Sequence, residues 1–229
     1  MGKIEGAQGG ELGELLESAT EQRELPVWTT ATPQDLAVIC QQLGRPVQSV
    51  LGVVLRCRWG RPMVIASPPL SVRTRRRPNR LRPDWEPFPN LLWLSCPYLA
   101  AAVSRLESEG WIRRWRREVE TDPAFAAELS AAHQEYARWR WWAVEQVQRQ
   151  DEEVRRCLAA HPEAEQVLRE TGVGGSRDWQ AVKCLHAHLA HYLAGGCNPV
   201  GRRVAGLLRE GGVDVAGDPS CSSEKPCII

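Results

Sequence analysis

The chain has 229 residues, 29 lysines and arginines against 28 aspartates and glutamates, and eight cysteines. That length holds one domain of ordinary size with its own core, without disulfide or metal staples. Near-neutral charge excludes a global field steering the whole molecule toward nucleic acid or an anionic membrane, and no apolar run is long enough to span a bilayer.

Residues 1–30 are charged and poor in large apolar side chains, which predicts a disordered or weakly helical arm with no export core. The protein is therefore expected to stay in the cytoplasm. In that reducing setting the cysteines read as free thiols, metal ligands or a catalytic thiolate rather than as a disulfide framework. A single globular domain is expected over residues 31–212, with a disordered tail over 213–229.

Thr32-Pro33 marks a helix start, Leu36, Ile39, Cys40 and Leu43 form an apolar stripe, and Gly44 ends it. Val50 to Leu55 and Met63 to Ala66 read as two strands of a hairpin, with Cys57 near its tip. Ser67 to Pro89, dominated by proline and arginine, reads as an exposed loop, and Leu91 to Leu94 as a third strand. Cys96-Pro97 opens a helix that Gly110 terminates. Asp122-Pro123 opens a longer one, because Phe125, Leu129, Ala132, Tyr136, Trp139, Ala143 and Val147 recur at spacings of four and three, and this helix is drawn to Ala160. Gly172 to Gly175 break the chain before a helix from about Trp179 to Ala194, and Asn198-Pro199 caps a last helix that fades near Gly211. The expected architecture is α+β and mostly helical: a small antiparallel N-terminal sheet packed against four to five helices.

Three stretches, QQLGRPVQSVLGVVLRCRWGRP (Gln41 to Pro62), EPFPNLLWLSCPYLAAAVSRLESEG (Glu86 to Gly110) and GVGGSRDWQAVKCLHAHLAHYLAGGCNPVG (Gly172 to Gly201), together with DPAFAAELSAAHQEYARWR (Asp122 to Arg140), make the chain resemble the domain-of-unknown-function family 501, a group of bacterial proteins. The resemblance implies no activity. It implies that Cys57, Cys96, Cys184, His186 and His191 occupy motif positions. The chain departs from the family's pattern at Trp59, where members often carry a second cysteine, and at His188, where they carry an apolar residue.

On an ideal helix Cys184, His188 and His191 fall in a stripe roughly 60° wide, with His186 on the opposite side. Thiolate and imidazole together suit zinc or an iron–sulfur cluster, and Cys57, Cys96, Cys184 and His191 are the candidate ligands. The plainer alternative is that these are small buried cysteines and core histidines. Thiol catalysis is the second reading. Cys96 sits between a strand and a helix start, where orphan amides favour a thiolate, and His186 or His191 is its candidate base. A third reading takes the arginines from Arg73 to Arg82, above all Arg75, Arg76 and Arg77, as an adaptor or binding site for a phosphate polymer or nucleic acid, with Arg113, Arg114, Arg116 and Arg117 around Trp111 and Trp115 as a second basic run. A proline-broken basic loop that is simply solvated is the bland reading there. Trp139, Trp141 and Trp142 point to several sides of one helix, which suggests a homodimer.

Overall fold

The computed structural model describes residues 25–47, 49–72 and 85–221. Helix α1 (Pro33–Leu43) begins as its sequence predicts. The Thr32 hydroxyl accepts from the Asp35 amide and the Asp35 carboxylate accepts from the Thr32 amide, closing a capping box. Its buried face differs from the expected stripe. Leu36 is exposed, while Asp35, Ile39 and Gln42 turn inward. Asp35 pairs with Arg56, and Gln42 Nε2 donates to the Pro62 carbonyl at 2.8 Å, so two polar anchors set the helix rotation.

Strands β1 (Gly52–Arg56) and β2 (Pro62–Ala66) form the expected antiparallel hairpin, with Cys57 at its turn. After two intervening strands, β5 (Leu92–Leu94) pairs antiparallel with the other edge of β2. The central strand is buried along its whole length, which is why it reads as an unbroken apolar run instead of an alternating one. Residues 67–89 are not simply a loop. They hold β3 (Leu70–Val72) and β4 (Trp85–Pro87), paired antiparallel as a second sheet, with the Phe88 amide donating to Pro69 O beyond its end. Arg75, Arg76 and Arg77 lie between these strands, outside the described residues.

Helices α2 (Pro97–Ser108), α3 (Trp111–Thr121), α4 (Pro123–Gln150), α5 (Glu152–Ala160), α6 (Pro162–Glu170), α7 (Leu185–Leu193) and α8 (Pro199–Glu210) complete a mostly helical α+β fold. The number exceeds four or five because α3, α5 and α6 were not expected, the last opened by Pro162 in its first turn. The second basic run is itself helix α3, held to the core by Trp115 and Val119. The long helix also stops before Ala160, because Asp151 is extended and its carboxylate accepts from the Glu153 and Val154 amides, starting α5 afresh.

The apolar stripe of α4 is the spine of the core. Leu129, Ala132, Tyr136, Trp139 and Ala143 are fully buried, and Phe125 nearly so. The tryptophans that suggested a dimer find partners inside the chain. Trp139 is buried, Trp142 meets Trp28 edge-on at 5.1 Å, and Arg169 lies over Trp141 at 3.4 Å. Packing also continues past residue 212, where a disordered tail was expected. Val215 and Ala216 are buried, the Arg58 amide donates to Ala216 O, and the Arg58 guanidinium pairs with Asp214. No helix among the described residues is long and apolar enough to cross a membrane.

Candidate metal centre

Cys184 does not sit in the middle of a helix. Residues 181–184 run without helical structure, and Cys184 is the N-cap of α7 with φ −146° and ψ 116°. Two backbone carbonyls ahead of it are taken by side chains. His133 Nε2 lies 3.2 Å from Ala181 O, and Arg116 Nε donates to Val182 O at 2.8 Å. A helix starting at Trp179 would need those carbonyls for its own amides four residues on, so the side chains hold the segment open. The expected Cys184, His188 and His191 stripe is thereby broken at its first member.

The four candidate ligands fall in three environments. Cys57 and Cys96 line one pocket of about 250 Å³ with Trp59, Arg105, Gly217 and Cys221. His191 is fully buried beneath α4. Cys184 stands elsewhere, beside His186 and Glu107. Among the described residues, the ligand atoms of Glu107, Cys184 and His186 alone form a group of three lying within 4.8 Å of one another, so the expected set of Cys57, Cys96, Cys184 and His191 does not meet at one point.

The observed group is built by α2 and the entry to α7. Glu107 Oε1 accepts from the Leu185 amide at 2.8 Å, which satisfies one orphan N–H of α7 and fixes the carboxylate there. The same oxygen lies 3.2 Å from His186 Nδ1, and Cys184 Sγ lies 4.0 Å from that nitrogen. On the far side of the ring, Nε2 is 3.0 Å from Ala100 O and 3.3 Å from Ser104 Oγ. A carbonyl can only accept, so Nε2 carries the proton and Nδ1 faces the thiol and the carboxylate. Burial works against the charged imidazole, but Cys184, Glu107 and the Ala100 carbonyl outweigh it and hold His186 up at about 9. All three side chains are partly solvent-exposed, so the group is reachable from outside.

His191 belongs to a different assembly. Asn198 Oδ1 accepts from the Gly201 amide at 2.8 Å as the cap of α8, which leaves Asn198 Nδ2 to donate to His191 Nδ1 at 3.2 Å. His191 then carries its proton on Nε2, whereas His188 Nδ1 lies 3.1 Å from Asn198 Oδ1 as well as 3.0 Å from Nδ2, so this contact is satisfied by either tautomer of His188. His191 Nε2 lies 3.2 Å from Glu135 Oε2 but out of line for a hydrogen bond, and His188 Nε2 has no partner among the described residues. His133 stands edge-on to His188 at 5.6 Å and accepts from the Val173 amide. Burial holds His133 down at about 4 and His188 at about 3, and lowers His191 as well. Two motif glycines follow from this packing: a Cβ at Gly172 would stand 2.2 Å from His133 Nδ1, and one at Gly196 would stand 2.2 Å from His191 Nε2.

A family model for proteins of unknown function, DUF501, matches residues 53–206, which is more than half of the chain and takes in every residue of both assemblies. The chain belongs to the DUF501 family. No curated protein and no solved structure matches it. In this DUF501 chain the motif cysteine Cys184 and motif histidine His186 come together, while Cys57 and Cys96 share a separate pocket. Glu107, the residue that completes the group, was invisible to ligand spacing because it arrives from another helix. The two-residue separation of Cys184 and His186 was the available signal, and it was masked by assigning both to opposite faces of one helix.

Proposed function

We propose that this protein is a metal-binding protein whose centre is Glu107, Cys184 and His186, and that zinc is the ion it takes. The observation that carries the reading is the His186 ring. Its Nε2 is committed to the Ala100 carbonyl at 3.0 Å and its Nδ1 faces Cys184 and Glu107, the arrangement in which an outer hydrogen bond orients an imidazole ligand. One thiolate, one imidazole and one carboxylate are borderline ligands suited to a mononuclear zinc site, and three protein ligands leave a position for water or substrate. An iron–sulfur cluster needs more thiolates than this group offers. When bound, such an ion supplies Lewis acidity at its open position. The chain's own residues hold it: Glu107 is fixed by the Leu185 amide, and Cys184 is aimed by its extended backbone.

Calorimetric titration of metal-stripped protein with zinc chloride tests this. One equivalent should bind to the parent chain, and His186→Ala and Glu107→Gln should each weaken binding at least about tenfold, the loss typical of removing a ligand or its support. Binding unchanged in both variants would refute the assignment.

A second reading has its own observation. Cys184, rather than the nearly buried Cys96, is the thiol with an imidazole beside it, 4.0 Å away. His186, an expected base for Cys96, has its nitrogens turned to Ala100, Ser104, Glu107 and Cys184. Iodoacetamide labelling of metal-free protein separates the two. A nucleophilic role requires fast labelling at Cys184 that slows in His186→Ala, whereas the metal reading requires zinc to block it.

A further inference from the structure

Helix α3 presents a face on which cations outnumber carboxylates. Trp115 and Val119 pin one side to the core, and Arg113, Arg114, Arg116 and Arg117 are exposed on the others. The bond from Arg116 Nε to Val182 O ties α3 to the segment that leads into Lys183, so an exposed fifth cation stands beside the four arginines. Among the described residues, Arg113, Arg114, Arg117 and Lys183 form no ion pair. Glu118 is taken by Arg203 at 2.6 Å, which leaves two exposed carboxylates here, Glu120 on α3 and Glu109, which accepts from Trp111 Nε1 at 3.1 Å.

Arg113 with Arg116 and Arg117, and Arg114 with Arg117, are like charges three and four residues apart, spacings at which they repel and weaken a helix. Such a face gains when a row of anions lies along it. An aromatic platform adjoins it. Trp111 is half-buried, its ring lies 5.5 Å from Trp115, and the Arg114 guanidinium sits over it at 4.6 Å. Stacked indole and guanidinium planes are the surfaces on which unpaired bases lie, and a bare phosphate polymer has no use for them. A single strand can offer an unpaired base to this platform, whereas the bases of a duplex are stacked on one another and paired.

We propose that the exposed face of α3 binds single-stranded nucleic acid, with Arg113, Arg116, Arg117 and Lys183 on the phosphates and the Trp111–Arg114 pair against a base. The strand would run past the segment carrying Cys184, but its binding does not require a metal there.

The test is fluorescence anisotropy of a labelled twelve-nucleotide oligouridylate with the full chain. Four phosphate contacts give a salt slope of about −2.8, so raising salt from about 50 to about 200 mM should weaken binding about 50-fold. Arg113→Ser with Arg117→Ser should halve that slope and reduce the loss to about 7-fold, with unchanged circular dichroism because both residues are exposed. Trp111→Phe, which keeps an aromatic packing residue, should bind as the parent does, while Trp111→Ala should weaken oligouridylate and leave inorganic polyphosphate unaffected. Cys184→Ser should bind oligouridylate normally, so failure of the metal reading is separable from failure of this one. No binding at low salt, an unchanged slope in the double variant, loss of the slope only when Arg75, Arg76 and Arg77 become serine, or polyphosphate bound as well as RNA with no effect of Trp111→Ala would each overturn the proposal.

Discussion

Lowering the pH from 7 to 5 should remove about 4 kcal/mol of folding stability, and buried histidines are the reason. In the folded chain His133 titrates at about 4 and His188 at about 3, because both rings are fully buried and stand edge to face with His191 close by. In the unfolded chain an imidazole takes up its proton near pH 6.5. Between 6.5 and 5 the unfolded state therefore binds two protons that the folded state refuses, at about 1.4 kcal/mol per unit for each ring, or about 2 kcal/mol apiece by pH 5. The sign follows from the depressed folded values: the stability is complete above 6.5 and is lost as pH falls toward 4 and then 3. His191, also lowered, acts in the same direction. His186 acts in the opposite sense at the upper end of this window. Its folded value is raised to about 9, so its contribution is complete below 6.5 and is lost as pH rises through 9. Asp35 and Glu135 are held below their ordinary values, Asp35 by Arg56 and Glu135 by His191 and the Cys197 amide against the opposing effect of burial, so their contributions are lost only at more acid pH. Since a domain is stable by about 5–15 kcal/mol, the effect is large. Urea unfolding at the two pH values, followed by tryptophan fluorescence, measures it, and His188→Gln should remove about half of the difference. A change below about 1 kcal/mol would refute the reasoning.

Arg140→Lys should lower stability by about 2–5 kcal/mol in the same assay at pH 7, because the guanidinium donates to the Leu168, Pro89 and Thr171 carbonyls from a fully buried position and an ammonium cannot reach all three. Gly172→Ala should cost about 1–3 kcal/mol or more through the clash with His133, and pairing it with His133→Ala should recover part of the loss if that contact is the cause. Tyr136→Phe should cost about 1–3 kcal/mol, since the phenol oxygen accepts from the Leu92 amide at 3.0 Å and the edge of β5 would be left with a buried, unpaired N–H. Hydrogen exchange at Leu92 should quicken in that variant.

The elements that sequence reasoning located are those whose signals are local. Thr32, Asp122 and Asn198 cap helices within three residues of themselves, and the α4 stripe repeats often enough to fix its buried face. What escaped was settled by partners distant in the chain. Residues 179–184 have the composition of a helix, yet His133 and Arg116 occupy the carbonyls that the helix would use. Leu36 looks like a core residue until Arg56 and Pro62 turn Asp35 and Gln42 inward instead. The site shows the same division. Cys184 and His186 were visible as chemistry-bearing residues, but their relation depended on where α7 begins, and Glu107 reaches them from a helix 77 residues earlier in the chain, as the separation of Glu107 from Cys184 shows. His191 was assigned as a ligand because imidazole invites metal, whereas burial and Asn198 make it part of the core.

The absorption spectrum of the metal-stripped protein titrated with cobalt(II), a spectroscopic stand-in for zinc, tests the central claim most directly. A thiolate bound to cobalt gives a sulfur-to-metal charge-transfer band in the near ultraviolet, and a four-coordinate site gives intense visible bands. Both should appear with one equivalent, disappear on adding zinc, and be absent in Cys184→Ser while persisting in Cys57→Ser, Cys96→Ser and His191→Gln. A parent chain without the charge-transfer band, or a band that survives Cys184→Ser and is lost with Cys57 or Cys96, would contradict the assignment of Glu107, Cys184 and His186 as the metal centre.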